Sequence, residues 1–182
     1  LAGAGRFTRS GFSFRHYILI AAQQGPIMKI LIWTAAPSDF VEGAIDFLTH
    51  GPAHHVGFLR SNGLVHELYP PKLRDRAISD DEKKIVQVFS LAGLPPELEA
   101  KFERLFDLDN EAGIKYSDAD LFRFLFNEEI PFDLSGYCSW YVMRCISMCA
   151  PMCLPLVRCE IGQVSPRDLY ISPRLIEEGW PC

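Results

Sequence analysis

The stretch His54-His55-Val56-Gly57-Phe58-Leu59-Arg60-Ser61-Asn62-Gly63-Leu64-Val65-His66-Glu67-Leu68 constrains this chain more than any other. It reads as two short apolar strands joined by a Gly-containing turn, and so as an antiparallel hairpin. On a helix, a His and a Glu twelve residues apart would be unrelated. On a hairpin they can become neighbours, provided the register is right. With a two-residue Asn62-Gly63 turn, 58 faces 67 and Glu67 shares a side with His54. With a three-residue Ser61-Asn62-Gly63 loop, 57 faces 67 and Glu67 shares a side with His55, one diagonal step away. Three-residue loops place a left-handed glycine at a bulge, and Gly63 is suitably placed. The second register is therefore expected, although a tight turn would let His54 and His55 trade roles.

The rest of the chain supplies a core for such a hairpin. Residues 28–182 contain Met28-Lys29-Ile30-Leu31-Ile32-Trp33, which predicts a first strand over 29–34. Asp39 with Glu42 predicts a capped helix running to Leu48. After Pro70-Pro71, the polar residues 72–83 read as a surface loop. A strand is expected over 85–89. A helix opened by Pro95-Pro96 should carry Leu98, Phe102, Leu105 and Phe106 inward. Further helices are expected over 118–126, capped by Asp118, and from Cys138 to about Cys149, with Pro155 and Pro166 breaking the remainder. Together these predict an α+β fold, a small, mostly antiparallel sheet packed against helices on one side. Residues 1–27 hold three Arg and no acid, and their apolar run Tyr17–Ala22 is short for a signal-peptide core. They are expected to lie outside the fold.

Charge and cysteine placement narrow the function. The net charge is −5 and no Lys/Arg stripe is present, so nothing here is built to hold a nucleic-acid backbone. No run approaches eighteen apolar residues, so no helical membrane span is expected. All six cysteines fall in the last quarter, at 138, 145, 149, 153, 159 and 182. That clustering cannot staple a whole domain and shows no zinc spacing, so mostly reduced thiols and a cytoplasmic setting are expected.

Cys138 stands apart from the other five because Gly136-Tyr137-Cys138 precedes an apolar helix. A thiol at a helix N-terminus, paired with an imidazole, is held as the nucleophilic thiolate, and its own N–H points toward a developing oxyanion. Cys138 is then expected to be surface-accessible, and Cys145 and Cys149 to be buried helix-face thiols. His55 would be the base and Glu67 the group that orients it. His66 points to the other side of its strand and reads as structural.

These blocks resemble the NlpC-type papain-like cysteine peptidases. His55-Val56-Gly57-Phe58 looks like that family's His-Val-Gly-Ile-Tyr strand, and Glu67 stands at its third polar position. His before Cys resembles the circularly permuted branch, which includes YiiX-like hydrolases and lecithin:retinol acyltransferase-like proteins. Gly113-Ile114-Lys115-Tyr116-Ser117-Asp118 looks like its Gly-x-x-Tyr-Asp segment, with one residue inserted. Tyr137-Cys138-Ser139 resembles its nucleophile motif, and Ser165-Pro166-Arg167-Asp168-Leu169 its closing Thr-Pro-x-Asp-Leu turn. The resemblance implies a permuted papain-like fold and a Cys138–His55–Glu67 hydrolase acting on peptides or amides of the cell-wall type. It implies no metal or organic cofactor. The Asn-Cys-Glu nucleophile signature of the lecithin:retinol acyltransferase-like group is absent. A lipid acyltransferase or thioesterase, and a non-catalytic groove-binding module, are the alternatives.

Overall fold

The structure, a computed structural model, describes residues 28–34, 51–125, 135–156 and 161–180, apart from the side chains of Phe122 and Leu125. The leader 1–27, the helix expected over 39–48, His50, Phe126 and the cysteines at 159 and 182 lie outside the described residues.

Eight strands form one sheet: β1 (Lys29–Trp33), β2 (His55–Leu59), β3 (Val65–Tyr69), β4 (Lys72–Arg76), β5 (Val86–Leu91), β6 (Lys115–Tyr116), β7 (Ser135–Gly136) and β8 (Leu175–Glu178). Their order is β7-β6-β4-β3-β2-β1-β5-β8. Every pairing is antiparallel except the short β6–β7 ladder at one edge. Four described α-helices complete the fold: α1 (Glu99–Ala112), α2 (Asp118–Leu125), α3 (Cys138–Cys149) and α4 (Pro166–Tyr170). The α+β class is as expected, but the sheet is wider.

The extra width comes from β4 and from the short strands β6, β7 and β8 at the two edges. Lys72-Leu73-Arg74-Asp75-Arg76 reads as a loop because only Leu73 is apolar, yet it pairs with β3 along its whole length. In β4, Arg74, Asp75 and Arg76 find partners on the two faces of the sheet, so polarity does not mark full exposure here. The chain turns into it at Pro70-Pro71, whose peptide bond is cis. Two smaller corrections concern helix starts. Ser117, rather than Asp118, caps α2, its Oγ accepting from the Asp120 N–H at 3.1 Å. Pro166 opens a helix instead of ending structure, because Ser165 and Asp168 form a reciprocal capping box before and within it.

Strand alternation gives the sheet two apolar faces. Ile30, Ile32, Val56, Phe58 and Leu68 face the helices and pack in one cluster with Phe102, Phe106, Tyr141, Val142 and Ile146. Leu31, Trp33, Leu59, Val65, Val86 and Val88 form a second cluster on the opposite face, against Ile78 and Trp180.

The helix carrying Cys138 is anchored at three points. Tyr137 precedes it in an extended conformation. At its far end the Lys101 ammonium donates to the Met148 and Cys149 carbonyls at 2.8 and 3.2 Å, a cation where the helix dipole is negative. In its middle, Arg144 forms a buried two-armed ion pair with Asp109 of α1, at 2.6 and 3.1 Å. α1 itself stops at Gly113, whose φ of 68° is left-handed and closes the helix back onto Asp109 and Asn110.

Candidate active site

The hairpin adopts the three-residue register. Phe58 pairs with His66 and Leu59 with Val65. The loop closes through Arg60 N–H to Leu64 O and Gly63 N–H to Arg60 O, with Gly63 at φ 81°. Continuing this register sets Gly57 opposite Glu67. A Cβ at position 57 would lie 3.1 Å from Glu67 Cβ and from His66 O, so glycine lets the two strands approach here. His55 and Glu67 then share a face, and His55 Nε2 lies 2.9 Å from Glu67 Oε2. His54, the competing candidate, is buried beside β1, its N–H donating to Trp33 O at 3.2 Å.

Cys138 is the first residue of α3 and reaches His55 as a hydrogen-bond partner. With Nε2 engaged by Glu67, Nδ1 is the ring nitrogen left for the thiol. Burial opposes a charge on His55. Hydrogen bonds to Cys138 and then Glu67, with the negative charge of each, outweigh it and raise the imidazole to about 10. Cys138 is only 2% exposed, a correction to the accessible thiol expected from its place at a helix start. Tyr137 and Trp140, both fully buried, belong to the cluster that surrounds it.

Two rings hold the imidazole from the sides. Trp33 lies 4.8 Å from it in a tilted contact, and Tyr69 meets it edge-on at 5.4 Å. Behind the imidazole, the Glu67 carboxylate is fully buried. Its Oε1 accepts from Arg74 Nε at 2.9 Å, Arg74 Nη2 at 2.6 Å and Arg76 Nε at 2.7 Å. Arg76 is in turn gripped by Glu82 at 2.7 and 2.6 Å. Burial alone would push the Glu67 carboxyl up, but His55 and Arg76 hold it well below the usual carboxylate range. Neither arginine is among the site residues expected from the sequence. The available signal is their spacing: 74 and 76 face one side of a strand that pairs with the strand of Glu67.

His66 is on the other face, as expected. Its Nδ1 contacts Asp75 Oδ1 at 2.6 Å and its Nε2 the Tyr141 hydroxyl at 2.8 Å. Burial disfavours charge on Asp75, but His66 and Arg60 hold its carboxyl below the ordinary range. Arg60 ties that network to α1 through Glu103 and Asp107, each at 2.7 Å. Cys145 and Cys149 are buried in α3 as expected, and burial raises both thiols away from ionisation. Cys138, Cys145, Cys149 and Cys153 are all free thiols. Phe124 packs against Tyr137 at 5.2 Å and so against the residue preceding Cys138.

Among the described residues, no three His, Cys, Asp or Glu side chains are arranged to hold a metal ion. No described helix is long and apolar enough to cross a membrane.

No protein-family model and no curated protein matches the chain. Its fold is similar to the crystal structure of metalloprotein yiiX from Escherichia coli O157:H7, with a TM-score of 0.58. The likeness covers 84% of this chain and 97% of that one, at 17% sequence identity. At that identity the likeness is one of fold.

Proposed function

We propose that this chain is a cysteine hydrolase of the permuted papain-like kind, cleaving a peptide or amide bond through an acyl-enzyme. One observation carries the reading. A thiol at the start of a helix, an imidazole on β2 and a buried carboxylate on β3 converge from three distant points of the sequence. The similarity to yiiX supports the fold that this reading needs, and the His55, Glu67 and Cys138 blocks support the chemistry.

In this mechanism the resting pair is a Cys138 thiolate and a His55 imidazolium. The thiolate sulfur attacks the substrate carbonyl carbon, and the carbonyl π electrons move onto oxygen. The Cys138 backbone N–H belongs to the first turn of α3, where donors have no intrahelical acceptor, and it faces the new oxyanion. As the tetrahedral intermediate collapses, the C–N bond breaks and His55 Nδ1–H protonates the leaving amine. A thioester to Cys138 remains. Water then attacks it, giving its proton to Nδ1, and the thiolate departs as the leaving group. Throughout, Glu67 accepts from Nε2–H, fixing the ring and its charge.

The similar structure is titled a metalloprotein. In this chain the carboxylate nearest the imidazole is filled by arginine donors, a set that repels a cation.

An iodoacetamide-type reagent tests the reading. At mildly acidic pH it should label Cys138 ahead of the other five thiols, and Cys138→Ser should remove that label. Amide hydrolysis should disappear in the same variant. Transfer of the acyl group to a lipid or other non-water acceptor would move the reading to an acyltransferase. Equal labelling of all thiols would overturn it in favour of a groove-binding module.

A further inference from the structure

We infer that Arg74 and Arg76 are positioning residues for the base: together they grip one oxygen of the Glu67 carboxylate and so hold the other aimed at His55. This rests on the hydrolase reading and extends it to two residues beyond the Cys138, His55 and Glu67 set.

The geometry is specific. A carboxylate has two equivalent oxygens, and a free one can swing to point them in many directions. Here Oε1 accepts three guanidinium N–H groups, two from Arg74 and one from Arg76. Oε2 accepts from His55 at 2.9 Å and has a longer approach from Arg76 Nη2 at 3.4 Å. Turning the carboxylate out of this plane would strain three charged hydrogen bonds on one oxygen as well as the bond to His55 on the other. The arginines are themselves held. The Arg74 guanidinium lies 4.3 Å over the Tyr69 ring, and that ring also touches His55. Arg76 is forked onto Glu82, which also accepts from the Trp33 indole. Trp33 is the other ring against His55. Both supports of the imidazole thus connect back to an arginine that steadies its carboxylate.

The charged groups facing Glu67 define the effect of losing an arginine. His55 faces it from β2, and Arg74 and Arg76 from β4. Glu82 stands behind Arg76, Tyr69 lies two residues along β3, and Cys138 of α3 lies beyond His55. Only the two arginines and His55 are cationic. Removing an arginine leaves a fully buried carboxylate with less positive charge, so it takes up a proton at higher pH. A protonated Glu67 no longer anchors the imidazolium, and the thiolate it supports forms only at higher pH. Loss of a nearby cation acts on the thiolate in the same direction.

The test is the pH dependence of Cys138 alkylation by iodoacetamide in the intact protein. It is measured for wild type, Arg74→Gln, Arg76→Gln and Arg76→Lys, with circular dichroism confirming each fold. Both glutamine variants should move the acid limb up by about one pH unit, making alkylation at pH 5 about tenfold slower. Arg76→Lys, which keeps the charge, should return most of that loss. The Arg74 side chain is 39% exposed, so Arg74→Gln decides the matter if Arg76→Gln does not fold. An unmoved acid limb in a folded glutamine variant overturns the proposal, even if its melting temperature falls. Unselective labelling of the wild type overturns the hydrolase reading, and this proposal with it.

Discussion

His55 Nε2 and Glu67 Oε2 lie 2.9 Å apart although twelve residues and a turn separate them. The carboxylate is sealed from solvent, and its remaining partners are two arginines. Glu67→Gln would therefore do more than weaken a base. It leaves Arg74 and Arg76 facing a neutral amide, and breaking such a buried charged cluster should cost about 3 kcal/mol at neutral pH. The sign with pH comes from the depressed carboxyl. Its stabilisation is present in full above the ordinary value of 4.5 and is lost as pH falls through the lower folded value. The gap between denaturant melts of wild type and Glu67→Gln should accordingly hold steady above the ordinary value of 4.5, then narrow as pH falls below it, without closing by about pH 3. A constant gap would show that the carboxylate's charge contributes nothing.

The His55 ring should carry its proton through neutrality. Its value is raised from 6.5 to about 10, with the bond to Cys138 as the largest favourable cause. Imidazole NMR signals should stay those of the cation at pH 7 and 8 and titrate near 10. In Cys138→Ser, which lacks the sulfur partner, the titration should move back toward 6.5. Titration near 6.5 in the wild type would exclude the ion pair.

Substitutions of the cysteines should separate chemistry from packing. Cys138→Ser should abolish turnover with a stability loss under about 1 kcal/mol, since the hydroxyl inherits His55 as a partner. Cys145 is fully buried on α3, and a hydroxyl there should cost about 1–3 kcal/mol while activity per folded molecule survives. Turnover assays beside thermal melts would distinguish the two, and retained turnover in Cys138→Ser would remove it as nucleophile.

Gly136→Ala should damage the thiol's setting from behind. A Cβ there would meet the Trp140 ring at 2.2, 2.5 and 2.8 Å, and Trp140 is fully buried with no room to retreat. Overpacking of this kind costs about 1–3 kcal/mol. Because Trp140 sits on the first turn of α3, alkylation of Cys138 should slow as well. Wild-type melting and labelling in this variant would mean that the turn adjusts freely.

The hairpin, the His55–Glu67 contact it creates and the span of α3 are legible because each rests on a local signal. Gly63 marks the left-handed turn residue that selects the register. Ala150-Pro151 marks where the Cys138 helix must end. β4 is not legible, because Lys72, Arg74, Asp75 and Arg76 hide a strand under polar composition. The partial burial of Arg74, Asp75 and Arg76 is made possible by Glu67, His66 and Arg60, which lie on neighbouring strands or turns and become partners only after folding. The burial of Cys138 is hidden for the same reason: a helix start looks open until Tyr137, Trp140 and the hairpin close around it.

The two-sided arrangement of β3 and β4 bears on how faithfully the chain finds its partners. One face receives Glu67, Arg74 and Arg76, while His66 and its partner Asp75 turn to the other, where Phe106 and Tyr141 meet the imidazole. Slipping β3 by a single residue would thrust the Glu67 carboxylate against those aromatic rings and leave two guanidinium groups unmatched. The mispaired ladder would thus be penalised on both surfaces at once. The buried charges that equip the site also select the strand register, because the nearest wrong alignment is penalised once the helices carrying Phe106 and Tyr141 lie on the sheet.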